Sequence, residues 1–281
     1  MKRHRKLVVF VGLTYAVSWL AWAPLCLEKL GALSIQPSPY WHLAGGFGPL
    51  IAAVLVSAWD RDALARLVTR VVRVRDHARW IAGAALGPLA LGIGALGLIQ
   101  LVGGNVDWFA LGRGAEFPLL VLPVYWLANV VCYGFGEEVG WRGFLLPHLQ
   151  ARWSALTASL IVSAIWAGWH LPLFLFSPGM SAMGVGGMIG WAISILTGSV
   201  IMTWLFNASG GSVLAVALFH GALDIVMMSP AHPMLPTVMG AALTVTGFVL
   251  PRIVGRENLS SRARINDEPH LDLARPQIAV P

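Results

Sequence analysis

The chain has 281 residues, 57% of them apolar and only 11% charged, with a formal net charge of +6. A soluble globular domain carries roughly 25% charged residues, so this composition excludes an ordinary water-facing surface. Nucleic-acid binding is set aside too, because in a chain of long apolar blocks Lys and Arg mainly record which loops stay in the cytoplasm. Cys26 and Cys132 lie in or beside apolar runs without ligand spacing, which fits packing rather than a disulfide framework or a Cys-type zinc site.

A helix needs about 20 apolar residues to cross the hydrocarbon layer, where unpaired backbone groups find no partner. In chain order, eight segments come close: Leu7 to Leu27, Trp41 to Ala58, Trp80 to Val102, Pro123 to Leu149, Trp153 to Phe176, Val185 to Phe206, Val213 to Met228 and Leu235 to Leu250. The expected fold is therefore all-α, a polytopic membrane helix bundle of about eight transmembrane helices over residues 1–256. From Glu257 the chain turns polar and Pro-bearing, so residues 257–281 are expected to form a mobile cytoplasmic tail. The first segment follows Lys2, Arg3, Arg5 and Lys6 and contains Ala21-Trp22-Ala23, the look of a signal peptide. Its apolar run exceeds the roughly 7–15 residues usual for one, which favours a retained helix.

Eight crossings that start inside leave Lys2, Arg3, Arg5, Lys6, Arg61, Arg66, Arg70, Arg73, Arg75, Arg79, Arg142, Arg152, Arg252, Arg256, Arg262, Arg264 and Arg275 on the inner side. Lys29 and Arg113 fall outside. That asymmetry fits the positive-inside rule and places a multi-pass protein in the cell membrane with both termini cytoplasmic. Between the second and third spans, Arg61 to Arg79 alternates Arg with Leu and Val at helical spacing. It reads as an amphipathic helix on the anionic inner leaflet or as a plain solvated connector.

Ionisable side chains at membrane depth cost several kcal/mol on most scales and normally face a protein interior. Three clusters stand out: Glu137-Glu138-Val-Gly-Trp-Arg142, Trp166-Ala-Gly-Trp-His170 and His220-Gly-Ala-Leu-Asp224. On a helix, Glu138 and Arg142 share a face, so the Arg can neutralise that carboxylate. Glu137 is rotated about 100° away and meets Trp141 four residues on, which leaves it free for chemistry. His220 and Asp224 also share a face, so the Asp can orient the imidazole or both can point at one ligand. At about 1.5 Å per residue, His220 stands only about 10 Å from Val213, so convergence with Glu137 and His170 requires the seventh span to start deeper than the others. The blander reading, in which each cluster only glues helices together, applies to any one of them alone.

His4, His42, His77, His148, His232 and His270 lie at span ends, loops or tails and read as interfacial or solvated. Asn207-Ala-Ser matches a glycosylation acceptor but falls inside, where the match is chance. Gly186 and Gly190 fit close helix packing.

The three clusters resemble the CAAX prenyl protease and bacteriocin-processing family of intramembrane endopeptidases, also called the Abi or type II CAAX protease family. Its pattern is Glu-Glu-x-x-x-Arg, Phe-x-x-x-His and His-x-x-x-Asn/Asp on three helices of one bundle. Glu137, Glu138 and Arg142 match the first element, His170 the second, and His220 with Asp224 the third. The resemblance covers about 118–228, the catalytic half, with Trp166 where the family usually has Phe and Asp224 where an Asn is more usual. It implies that Glu137 with His170 activates a water while His220 with Asp224 stabilises the oxyanion, with no cofactor required. An ionised Asp224 cannot itself donate to an oxyanion, so it must be protonated or act by orienting His220. The other implied option is zinc held by ligands drawn from Glu137, His170, His220 and Asp224. The implied partners are a membrane-anchored protein or peptide substrate and the lipid bilayer. A composition rich in Ala, Gly, Val and Arg points to a prokaryote, and prenylation of the substrate stays open.

Two other classes stand beside the protease. The same buried Glu and His residues would serve a proton- or ion-coupled transporter, although they lie in one half of a chain without an internal repeat. A non-catalytic scaffold or immunity protein could keep the fold without the reaction.

Overall fold

The structure, a computed structural model, describes residues 3–72, 78–114, 117 and 119–267. Lys2, Arg73, Arg75, His77, His270, Arg275 and the last fourteen positions of the expected tail (268–281) lie outside the described residues.

Among those residues the chain is helical with no strand. The long elements are α1 (Arg3–Lys29), α2 (Trp41–Ser57), α3 (Arg61–Val72), α4 (Ala78–Leu101), α5 (122–150), α6 (Ala155–Trp169), α7 (Val185–Ala208), α8 (Val213–Met227) and α9 (Leu235–Val254). All eight predicted spans coincide with helices, and the ninth, α3, is the Arg-rich stretch between the second and third. Four helices, His4–Lys29, α4, α7 and α9, are long and apolar enough to cross a membrane alone. Large apolar side chains such as Leu20, Leu101 and Val185 point outward, whereas Asn129, Gln150, Ser159, Ser199, Thr203 and Asn207 are buried. That distribution suits a multi-pass membrane protein, since hydrocarbon welcomes the first set and rejects the second.

The shorter helices carry the polar clusters. At about 1.5 Å per residue, α6 and α8 span roughly 22 Å, short of the ~30 Å hydrocarbon layer. Ending a helix at depth exposes carbonyls that need donors. For α6 they come from α1: Tyr15 hydroxyl donates to Ile165 O, Trp19 Nε1 to Trp169 O at 3.0 Å and Cys26 Sγ to Pro172 O at 3.9 Å. The first helix, with its signal-peptide look, is thereby part of the scaffold that fixes His170.

Two helices form the centre. α5 packs against α2 on one side and α8 on the other, and α8 packs in turn on α4. The contact is close because of glycine: a Cβ on Gly134 would lie 2.4 Å from Ala217 O, and one on Gly221 would lie 2.8 Å from Val130 Cα. On the opposite face a Cβ on Gly136 would lie 2.6 Å from Gly46 O. α5 is not a uniform α-helix. Residues Asn129–Phe135 and Trp141–Leu145 form wide π turns, with the α-helical stretch Gly136–Gly140 between them. Such turns recur at functional sites, and these flank both carboxylates. The four-residue turn into α8 needs Gly210 and Gly211 at φ 67° and 87°, a backbone only glycine adopts readily.

Several expectations need correction. His42 is buried among the rings of Trp22, Phe117, Tyr133 and Phe176, and His148 is buried against Phe144 O and Asp267. Neither is solvated, because each finds aromatic or charged company at its helix end. Gly186 and Gly190 are exposed and a Cβ on either would meet nothing within 4 Å, so they make no close helix contact. Residues 257–267 are docked rather than loose. Ala155 N donates to Glu257 O, Asp267 N to Pro147 O, and Arg264 Nε to Gln150 O. Asn207 exchanges hydrogen bonds with Gln150 and donates to Asn258 O, which occupies the amide of the apparent glycosylation motif. Polar composition misleads here because its hydrogen bonds are made to the bundle instead of to water.

α3 serves the same end of the molecule. Lys6 Nζ reaches Asp60 at 3.3 Å just before α3 begins, and Arg70 donates to Gly143 O at 2.9 Å and to Asp267 at 2.6 Å. Its Leu67 is buried, so α3 is a bundle element with one protein-facing side and not a solvated connector. The Asp60 carboxyl is held below its ordinary range, chiefly by hydrogen bonds from the Ala63 amide and from Lys6.

Candidate active site

Each carboxylate of the Glu-Glu pair has its own partners, as their 100° offset on a helix dictates. Glu138 and Arg142 are both completely buried, with Arg142 Nη1 at 2.8 and 3.0 Å from the two Glu138 oxygens. Burying such a pair costs less the more of the remaining donors are satisfied, and here Nη2 is, although Nε is buried without a hydrogen-bond partner. Arg142 Nη2 donates to Ser199 Oγ on α7 at 3.1 Å, and Ser199 donates to Ser159 O on α6. His220 Nδ1 lies 2.8 Å from Glu138 Oε1, and since a carboxylate only accepts, Nδ1 carries the proton. His220 Nε2 lies 3.5 Å from Asp224. One chain of charges, Arg142, Glu138, His220 and Asp224, therefore ties α5 to α8, and Ser199 joins α7 to its Arg142 end.

Glu137 stands apart from that chain. It is 3% exposed, and its partners are indoles: Trp166 Nε1 at 2.7 Å and Trp141 Nε1 at 3.4 Å, both on Oε2. Trp141, which sequence spacing offered only as a neighbour, is thus a second and weaker donor. His170, one turn after Trp166, has Nδ1 2.7 Å from Trp166 O. A carbonyl only accepts, so this nitrogen carries the proton and Nε2 is the basic one. The rings of His170 and His220 stand edge-on to Trp166 at 5.3 and 5.4 Å, and the Arg142 guanidinium lies over it at 5.2 Å.

The structure thus brings Glu137, Arg142, His170 and His220 around one indole, with Glu138 joined to them through Arg142 and His220 and Asp224 through His220. The seventh span does start deeper than α5 ends: Val213 lies beside Gly143, well before Gln150, and the glycine contact between α5 and α8 brings His220 directly to Glu138. His170 and Asp224 are the partly exposed members and mark the open side of the site. As for zinc, no group of three His, Cys, Asp or Glu side chains among the described residues is arranged to hold a metal ion. Donation by Nδ1 of His220 to Glu138 and by Nδ1 of His170 to a carbonyl is also what a metal-bound imidazole keeps, so the atoms a metal would need are Nε2 of each ring and Oε1 of Glu137. As these side chains stand, they do not gather into a set of three ligands.

Sequence reasoning noted Trp166 only as standing where Phe is usual, read His42 as interfacial or solvated, and did not single out Ser159 or Ser199. His42 lies within electrostatic reach of His170 and Asp224. The one available signal was Trp in place of Phe at 166, a substitution that adds a hydrogen-bond donor.

Comparison with known proteins finds matches over the same part of the chain. Residues 119–226 match the family model described as type II CAAX prenyl endopeptidase Rce1-like. Over 127 residues the chain is 27% identical to CAAX prenyl protease 2 of Methanococcus maripaludis, covering 44% of this chain. The match spans 46% of that relative, less than half its length. The matched stretch contains all three motifs.

Proposed function

We propose that the protein is an intramembrane endopeptidase that hydrolyses a peptide bond of a membrane-associated protein or peptide, with both termini on the cytoplasmic side. The observation that carries the reading is the division of labour between adjacent carboxylates: Glu138 is neutralised by Arg142, and Glu137 is held by indoles alone. A general base needs a lone pair that no cation has claimed.

In the proposed reaction a water lies between Glu137 and Nε2 of His170. Its oxygen adds to the scissile carbonyl carbon while its proton passes to Glu137. The carbonyl π electrons move to oxygen, and the oxyanion accepts from Nε2–H of His220, which stays doubly protonated between Glu138 and Asp224. Glu137 then returns the proton to the amide nitrogen as the C–N bond breaks, giving a carboxylic acid and an amine. No covalent intermediate and no cofactor are required.

The test is cleavage of a membrane-anchored peptide by purified protein in lipid. Glu137→Gln and His170→Ala should each lower kcat by about 10²–10⁴-fold, the usual range for a general base. Equal activity in all three proteins removes the assignment. Activity should survive exhaustive chelation, and loss that zinc restores would move the reading to a metallopeptidase.

A further inference from the structure

Resting on that reading, we infer that Trp166 is a positioning residue for Glu137. Its indole N–H pins Oε2 and so presents Oε1 to the reacting water. Three observations support it. First, the 2.7 Å hydrogen bond joins an indole that is 6% exposed to a carboxylate that is 3% exposed, where water cannot replace either partner. Second, both indole donors converge on the same oxygen, Oε2, so neither obstructs Oε1. Third, the face of the same ring carries the Arg142 guanidinium 5.2 Å from its centroid, while its edge carries Glu137.

That third feature explains the division between neighbours. Arg142 could in principle be shared by two adjacent carboxylates, and a Glu137 paired with a guanidinium would be a poor base. The indole presents its π face to the cation and its N–H to the anion, as the ring quadrupole prefers on both counts. Trp166 thus keeps Arg142 committed to Glu138. Its own carbonyl meanwhile holds the His170 proton on Nδ1. One residue fixes the two groups that would share the water, one through its side chain and the other through its backbone.

The charged and titratable groups acting on Glu137 are Glu138 on α5 and His220 and Asp224 on α8, and none of them donates the short hydrogen bond that Trp166 does.

The experiment compares wild type with Trp166→Phe and with Trp166 replaced by its benzothienyl analogue. That analogue keeps the bicyclic shape and removes only the N–H, so it covers the case in which Phe disturbs folding. A charge-assisted hydrogen bond of this kind corresponds to about 10–100-fold in rate, so both variants should lose that much kcat with KM unchanged. A readout independent of activity comes from ¹⁵N-indole-labelled protein: the Trp166 N–H proton should resonate downfield and move upfield in Glu137→Ala. An indole resonance indifferent to Glu137→Ala, or a benzothienyl protein with wild-type kcat, overturns the inference while leaving the protease reading intact. Absence of any cleavage by wild type defeats the protease reading, and the indole resonance still decides whether Trp166 holds Glu137.

Discussion

Consider Arg142→Met, which keeps most of the side-chain volume and removes the charge. In the native site Arg142 makes two hydrogen bonds to Glu138 and one to Ser199, with every one of these side chains buried. Deleting one member of a buried pair typically costs about 3–5 kcal/mol, most of it the penalty of stranding the other charge. Here Glu138 keeps His220, so the expected cost lies at the lower end, about 3 kcal/mol. Removing both charges together in Glu138→Gln/Arg142→Met should recover much of that loss, since the Gln oxygen still accepts from His220 Nδ1. Reversible unfolding in mixed micelles of the two single variants and the double variant gives the coupling energy directly. A cost under about 1 kcal/mol for Arg142→Met, the value of a solvated ion pair, would refute the enclosed pairing described above.

Other outcomes follow from the same contacts. Gly134→Ala should destabilise by about 1–3 kcal/mol, because its Cβ would meet the Ala217 carbonyl at 2.4 Å and force α5 away from α8; the same unfolding assay reads it. Ser199→Ala strands one Arg142 donor and should cost about 1–2 kcal/mol without altering KM for a cleaved peptide. Asp267 governs the docked segment. Burial pushes its carboxyl up, but the hydrogen bond from His148 and the charge of Arg70 outweigh that and hold it well below the usual carboxylate range. A depressed carboxyl contributes stability that is fully present above its unfolded value of about 4 and is lost as pH falls from there through the folded value. Hydrogen exchange of residues 257–267 should therefore stay slow at neutral pH and accelerate below about pH 4, and Asp267→Asn should make it fast throughout.

The spans were legible because lipid imposes one strong constraint, a long apolar run, which four of the eight segments meet alone and the others approach. The polar clusters were legible for the complementary reason, since Glu137, Glu138, Arg142, His170, His220 and Asp224 have no place in hydrocarbon unless they find each other. What escaped was whatever depends on contact between distant segments. The Trp166 bond to Glu137 joins positions 29 residues apart, and apart from the added donor at 166 nothing in either neighbourhood says where that donor goes. His42 looked interfacial because it begins a span, yet it is enclosed by aromatic rings from four other segments. The segment 257–267 looked soluble because its hydrogen-bond partners, Gln150 and Asn207, lie far back in the chain. Gly186 and Gly190 erred the other way, their spacing suggesting a helix contact that no neighbour supplies.

The wide turns of α5 make its length a functional quantity. Each such turn accommodates more residues than the regular spiral would, so excising a single residue, Val131 for instance, lets the backbone relax to ordinary winding. The two sides then keep about the facing they have now, whereas a residue excised from the regular winding before Asn129 turns everything on one side by about 100° relative to the other. In that second case the Glu138–Arg142 bond would survive, being internal to the part that swings, while the meeting with α8 would be lost. This helix should consequently tolerate the loss of a residue at a wide turn far better than the loss of one from its regular winding.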